Sequence, residues 1–290
     1  MRIIPALVLA AMLASGCGDD AGGGDADSAA IKVIASFYPL AEIAQEVGGE
    51  RVAVANVTPP GAEAHDVELS PDQVADVEDA DVVLVLGDGF QPSVEQAADR
   101  SDGVVVALLD RIGVEGDDPH VWLDPVLMQE VVAEVEGALA DADPAGAPQY
   151  EERADAYADE LAALHGRYQE TLAGCQRDLL VTAHEAFGRL AERYGLRQEG
   201  IAGVSPDAEP DPRRLAELAD LVEEEGVTTV FTEELVSPRV AQSLARETGV
   251  ETAVLDPIES LDDDAVEAGG SYVSVMDDNL ATIAEALGCG

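Results

Sequence analysis

Seven residues constrain the fold of this chain more than any others. Tyr150, Ala154, Tyr157, Leu161, Leu164, Tyr168 and Leu172 recur at intervals of three or four. That spacing places them on one stripe of a single helix, with acidic residues and arginines on the opposite face. The pattern predicts a helix over 144–173, about 45 Å long at 1.5 Å per residue. A helix of that length can run from end to end of a two-lobed molecule.

On either side of it, short apolar runs alternate with helical patterns. Strands are predicted at 32–37, 52–57, 81–87 and 103–109, then at 178–183, 199–204, 227–232 and 251–256. "DVVLVLG" and "GVVVALL" are nearly continuous apolar runs, as parallel strands covered on both faces require. "SPDQVADVEDA" carries a Ser cap and a Pro at the first helical position. The predicted fold class is α/β: two similar lobes with parallel sheets, joined by one long rigid helix. The lobes span 31–143 and 174–290. Ligands of such sheets bind in the crevice outside the strand C-termini.

Charge excludes several partners. The 60 acidic residues against 15 basic ones leave a net charge of −45, and Lys32 is the only lysine. A surface of that sign repels nucleic acid and anionic lipid. It suits solubility in a high-salt habitat, where screening makes self-repulsion tolerable.

The first 30 residues have another purpose. Arg2 precedes the apolar stretch "IIPALVLAAMLA" (3–14), which is too short to span a bilayer comfortably. "ASGC" then resembles a bacterial lipobox, so residues 1–16 are expected to be a signal peptide and Cys17 the lipidated residue. "GDDAGGGDADSAA" completes a flexible tether over 17–30. The expected location is the extracytoplasmic face of a cell membrane, held by lipid. Cys175 and Cys289 remain as an even pair in an oxidising compartment, and a disulfide between them is expected.

Three of the four histidines fall just after predicted strands. His65 lies in "PPGAEAHDVELSP", His120 in "DDPHVWLDP", and His184 directly after "DLLVTA". Asp256 ends the last strand in "VLDP". Neutral imidazoles with one carboxylate are ligands that zinc accepts in a tetrahedron. His165 sits mid-way along the long helix and carries no expected ligand role.

These residues also carry a family resemblance. The sequence resembles the zinc- and manganese-specific solute-binding proteins of bacterial ABC importers (cluster A-I). "GAEAHDVELSP" is similar to the family's first ligand loop, although Val67 and Leu69 replace its usual tyrosine and proline. "DPHVWLDP" and "TAHEAFGRLAERYGL" are similar to the second and third ligand motifs. "GVSPDAEPDPRRL" and "SYVSVMDDNLATIAEAL" match later segments, so the resemblance covers residues 32–288. It implies zinc bound as cargo by His65, His120, His184 and Asp256, small hinge motion, and delivery by a monomer to a membrane permease. Histidine at the third position, where manganese members have glutamate, points to zinc. The stretch "RIGVEGDDP" stands where many zinc members carry a histidine-rich loop.

A manganese- or iron-type member of the same family is the alternative within this class. A zinc hydrolase is the alternative from another class, since "HE" at 184–185 begins like a metalloprotease helix. The partner position is Gly188, so HExxH is incomplete. No nucleophile–base pair or Gly-rich phosphate loop accompanies it, and no enzymatic activity is expected. A purely structural surface lipoprotein predicts no stoichiometric metal.

Overall fold

Val82–Val85 and Leu179–Thr182 are buried at every position, as the central strands of two covered parallel sheets must be. The computed structural model describes residues 30–114, 116–206 and 211–290. The expected signal peptide, Cys17 and nearly all of the tether lie outside the described residues. In the first sheet, β1 (Ile31–Ala35), β2 (Val52–Asn56), β3 (Val82–Val85) and β4 (Val104–Ala107) pair in parallel in the order β2-β1-β3-β4. In the second, β5 (Leu179–Thr182), β6 (Arg197–Gly200), β7 (Thr229–Thr232) and β8 (Glu251–Val254) repeat that order as β6-β5-β7-β8.

Helices cover both sheets. The first half holds α1 (Tyr38–Gly48), α2 (Pro71–Glu78), α3 (Pro92–Ala98), α4 (Leu108–Ile112) and α5 (Pro125–Ala142). Then come the linking helix α6 (Ala147–Leu172), α7 (Gly188–Arg193), α8 (Pro212–Glu225), α9 (Arg239–Thr248), α10 (Asp263–Glu267) and α11 (Tyr272–Leu287). Ser70 caps α2 through a complete capping box with Gln73, satisfying two N-terminal donors at once.

All seven residues of the α6 stripe are buried. They join a core cluster that takes in α1, α5 and α11, so one apolar body ties the two halves together. Polar contacts reinforce it. Tyr168 donates to the Met276 carbonyl at 2.7 Å, and Glu42 of α1 accepts from the Tyr272 backbone N–H at 2.8 Å and the Tyr157 hydroxyl at 3.0 Å. A carboxylate at the start of α11 also meets the positive end of that helix's dipole. Cys175 and Cys289 form a disulfide that fastens the end of α11 to the segment after α6. A bridge closing so long a loop contributes roughly 2–4 kcal/mol.

Two elements differ from the sequence expectation. The strand expected over 199–204 lies at Arg197–Gly200, and the apolar residues Ile201 and Ala202 follow it. Their backbone N–H groups bond to the Thr182 and Ala183 carbonyls as the chain leaves the sheet. Their apolarity reflects burial beside β5, not pairing in β6. The run 103–109 also divides, because Leu108 ends the strand and opens α4.

Candidate metal centre

Three separate loops deliver the imidazoles. After β2 the chain makes a single 3-10 turn at Ala64–Asp66, and Glu63 accepts from the His65 backbone N–H at 3.2 Å. Buried Gln91 anchors this turn by donating to the Ala64 carbonyl at 3.0 Å and to Thr58 Oγ1 at 3.1 Å. His120 precedes the 3-10 turn Val121–Leu123, where Asp124 caps α5. His184 follows β5, and its carbonyl accepts from Thr182 Oγ1 at 2.6 Å and Gln198 Nε2 at 3.0 Å.

Two of the rings are oriented by carboxylates. His120 Nδ1 lies 2.7 Å from Asp118 Oδ1, and His184 Nδ1 lies 2.7 Å from Glu233 Oε2. A proton on Nδ1 satisfies each pair and leaves the Nε2 lone pair directed inward. His65 packs edge-on against Phe90, with ring centroids 4.5 Å apart.

The three Nε2 atoms surround one carboxylate oxygen. Glu259 Oε1 lies 3.5 Å from His65, 3.9 Å from His120 and 3.6 Å from His184. All four ligand atoms fall within 4.8 Å of one another. Both Glu259 oxygens and all three Nε2 atoms are buried without a hydrogen-bond partner. Buried polar groups are rarely left so. A tetrahedral zinc at 2.0–2.1 Å needs ligand atoms about 3.3 Å apart. The three distances from Glu259 Oε1 to the Nε2 atoms exceed that spacing by only about 0.2–0.6 Å.

The carboxylate that converges with the three imidazoles is that of Glu259, three residues beyond the expected Asp256. Asp256 is absent from the converging group; its Oδ1 accepts from the Ile258 N–H at 2.7 Å instead. Asn279 of α11 grips its backbone on both sides, donating to the Asp256 carbonyl and accepting from its N–H. Asp256 therefore shapes the turn that carries Glu259. The turn passes through Ile258 at φ +57°, a conformation rarely adopted by a β-branched residue. No local motif in "VLDPIES" announces it. Glu233, which orients His184, lies just beyond β7, and its place after a strand is the only sequence signal for it. His165 is half-buried in α6, 3.1 Å from the Tyr194 hydroxyl and away from the cluster.

The electrostatics suit a cation. Burial lowers the pKa of His120 against the opposing pull of Asp118. Burial also works to lower that of His184, but Glu233 and Glu259 overcome it and raise it to about 10. Burial would raise Glu259, yet the His184 and His65 imidazoles beside it hold it well below the usual carboxylate range. Burial carries Asp256 up to about 6. A cavity of about 280 Å³ reaches His65 from outside, past Asp88, Asp110, Asp117 and Asp118. Glu185, the acid of the incomplete HExxH, faces Arg214 at 3.9 Å.

Comparisons with known proteins identify the family. The model of the family described as zinc-uptake complex component A, periplasmic, matches residues 33–286. The high-affinity zinc uptake system protein ZnuA of Bacillus subtilis is 32% identical over 300 residues, covering 95% of this chain and 94% of that protein. The zinc-binding lipoprotein AdcA of Streptococcus pneumoniae is 34% identical over 275 residues, covering 87% of this chain; the chain spans 55% of that relative's length. The Zn(II)-bound ZnuA-like domain of that AdcA superposes with a TM-score of 0.78 at 33% identity, covering 89% of this chain and 99% of the domain. The periplasmic zinc-binding protein TroA of Treponema pallidum, at 24% identity and a TM-score of 0.82 over 89% of this chain and 99% of its own, shares the fold.

Proposed function

We propose a function from one premise: this chain belongs to the family of periplasmic component A proteins of zinc-uptake complexes. It captures one zinc ion between its lobes and hands that ion to the permease of an ABC-type importer. His65 and His120 from the first half, and His184 and Glu259 from the second, hold the metal. The observation that carries this reading is the buried meeting of three unpartnered Nε2 atoms and one unpartnered carboxylate from both halves. Four protein ligands close a tetrahedron, which suits storage and transfer better than activation of a water. The lipobox-like segment at Cys17 fits a lipid-anchored protein on the extracytoplasmic face.

Metal content and competition test the reading. Protein purified without added metal and titrated with zinc is expected to bind one ion per chain. Zinc is expected to displace manganese, because three imidazoles favour the later, softer metal. Preference for manganese would overturn the metal assignment, and absence of stoichiometric binding would overturn the function.

A pH dependence follows from His184. Its folded value of about 10 lies above the ordinary imidazole value. In the metal-free protein its proton therefore adds stability that is complete below about pH 6.5 and is lost as pH rises through about 10. Zinc must displace that proton. Apparent affinity should thus climb about tenfold per pH unit between roughly pH 7 and 9, with one proton released per zinc from this residue. Calorimetric titration in buffers of different ionisation enthalpy measures the release. A flat affinity profile over that range would contradict it.

A further inference from the structure

Glu259 belongs to the C-terminal half, but much of its support comes from the N-terminal half. Two residues before it, the Pro257 carbonyl accepts from Trp122 Nε1 at 2.6 Å. One residue after it, Ser260 Oγ accepts from the Gly61 backbone N–H at 2.8 Å and stands 3.4 Å from the Pro59 carbonyl. Between these two anchors lies Ile258 at φ +57°. A β-branched residue stays in the left-handed region only where its surroundings over-determine it. The Glu259 oxygens themselves have no hydrogen-bond partner, so the bonds that hold this turn are made by its flanking residues.

Trp122 is a rigid donor. Its ring packs against Phe37 and Phe90 at centroid distances of 4.7 and 5.6 Å, and its carbonyl accepts from the Tyr272 hydroxyl at 2.5 Å. It also lies two positions from His120, with ring centroids 5.0 Å apart. One short segment of the first lobe thus supplies its own imidazole and sets the other lobe's carboxylate.

We infer that Trp122 and Ser260 are positioning residues for Glu259, whose hydrogen bonds across the lobe interface place the fourth ligand on the metal only when the lobes are closed. Opening withdraws Trp122 from Pro257 and Gly61 from Ser260, and the Glu259 turn loses two of its supports. Release then begins by loosening one carboxylate and does not require four ligands to part together. This inference rests on the zinc-capture reading and adds to it a dependence of ligation on closure.

The test is a double-mutant cycle on the mature chain, with zinc affinity read by competition against a chelator. Trp122→Phe keeps an aromatic ring and removes the donor; it is expected to weaken zinc about 10- to 100-fold, the range for partners that orient a ligand. Ser260→Ala should weaken it less, in the same direction. Combined with Glu259→Gln, neither substitution should cost further affinity, because the group each one positions is already disabled. Cobalt bound to Trp122→Phe should show weaker visible bands than cobalt bound to the wild type, as the tetrahedron loosens. Wild-type affinity in both single variants, or losses that multiply with that of Glu259→Gln, would overturn the inference. Should Trp122→Phe fail to fold, the Ser260→Ala cycle decides the matter alone. A wild-type chain that takes up no zinc would strike the zinc-capture reading, whereas a zinc-binding wild type with multiplying losses would strike only the positioning roles.

Discussion

His120→Ala is expected to lower zinc affinity about 10²- to 10³-fold. Four-ligand zinc sites bind with apparent free energies of about 10–16 kcal/mol, so one ligand's share is about 2.5–4 kcal/mol. His120 is fully buried and already oriented by Asp118, so its contribution carries little ordering cost. Removing the imidazole also leaves Asp118 without its ring partner. Chelator competition measures the loss, and thermal unfolding of the metal-free variant checks that the fold survives. Unchanged affinity would remove His120 from the ligand set.

The second large effect separates two carboxylates three residues apart. Glu259→Gln should cost about 10²-fold in zinc affinity, since the amide keeps the shape but loses the charge that balances the metal in a buried site. Asp256→Asn should cost less than about tenfold, because its side-chain oxygen can still accept from Ile258 and hold the turn. Measured side by side, the two variants rank the candidates. The reverse order would return Asp256 to the fourth position and reduce Glu259 to a neighbour.

The helical stripe was legible from spacing alone, because a buried face must recur at the helical period whatever it packs against. All seven of its residues are in the core. The histidines were legible for a related reason: parallel sheets gather their strand C-termini on one edge, so residues just beyond several strands share a crevice. Which carboxylate of the last loop turns toward the imidazoles was not legible. Asp256 ends its strand and Glu259 does not, yet the left-handed turn at Ile258 brings Glu259 into the cluster. The apolar run at Ile201–Ala202 misled in the opposite way, since burial beyond the end of a strand leaves the same local signature as the strand itself.

The sequence by itself determined the two parallel-sheet halves, the helix between them and the three imidazoles that come together. These follow from periodicity, apolar runs and position after a strand, all of which act over a few residues. The tertiary structure decided the fourth candidate ligand, the carboxylates that orient His120 and His184, and the hydrogen bonds from Trp122 and Gly61 that flank Glu259. Those contacts join residues from 2 to 199 positions apart. The two that cross between the halves, Trp122 with Pro257 and Gly61 with Ser260, meet only once both lobes have packed against the shared helix, and no local pattern encodes them.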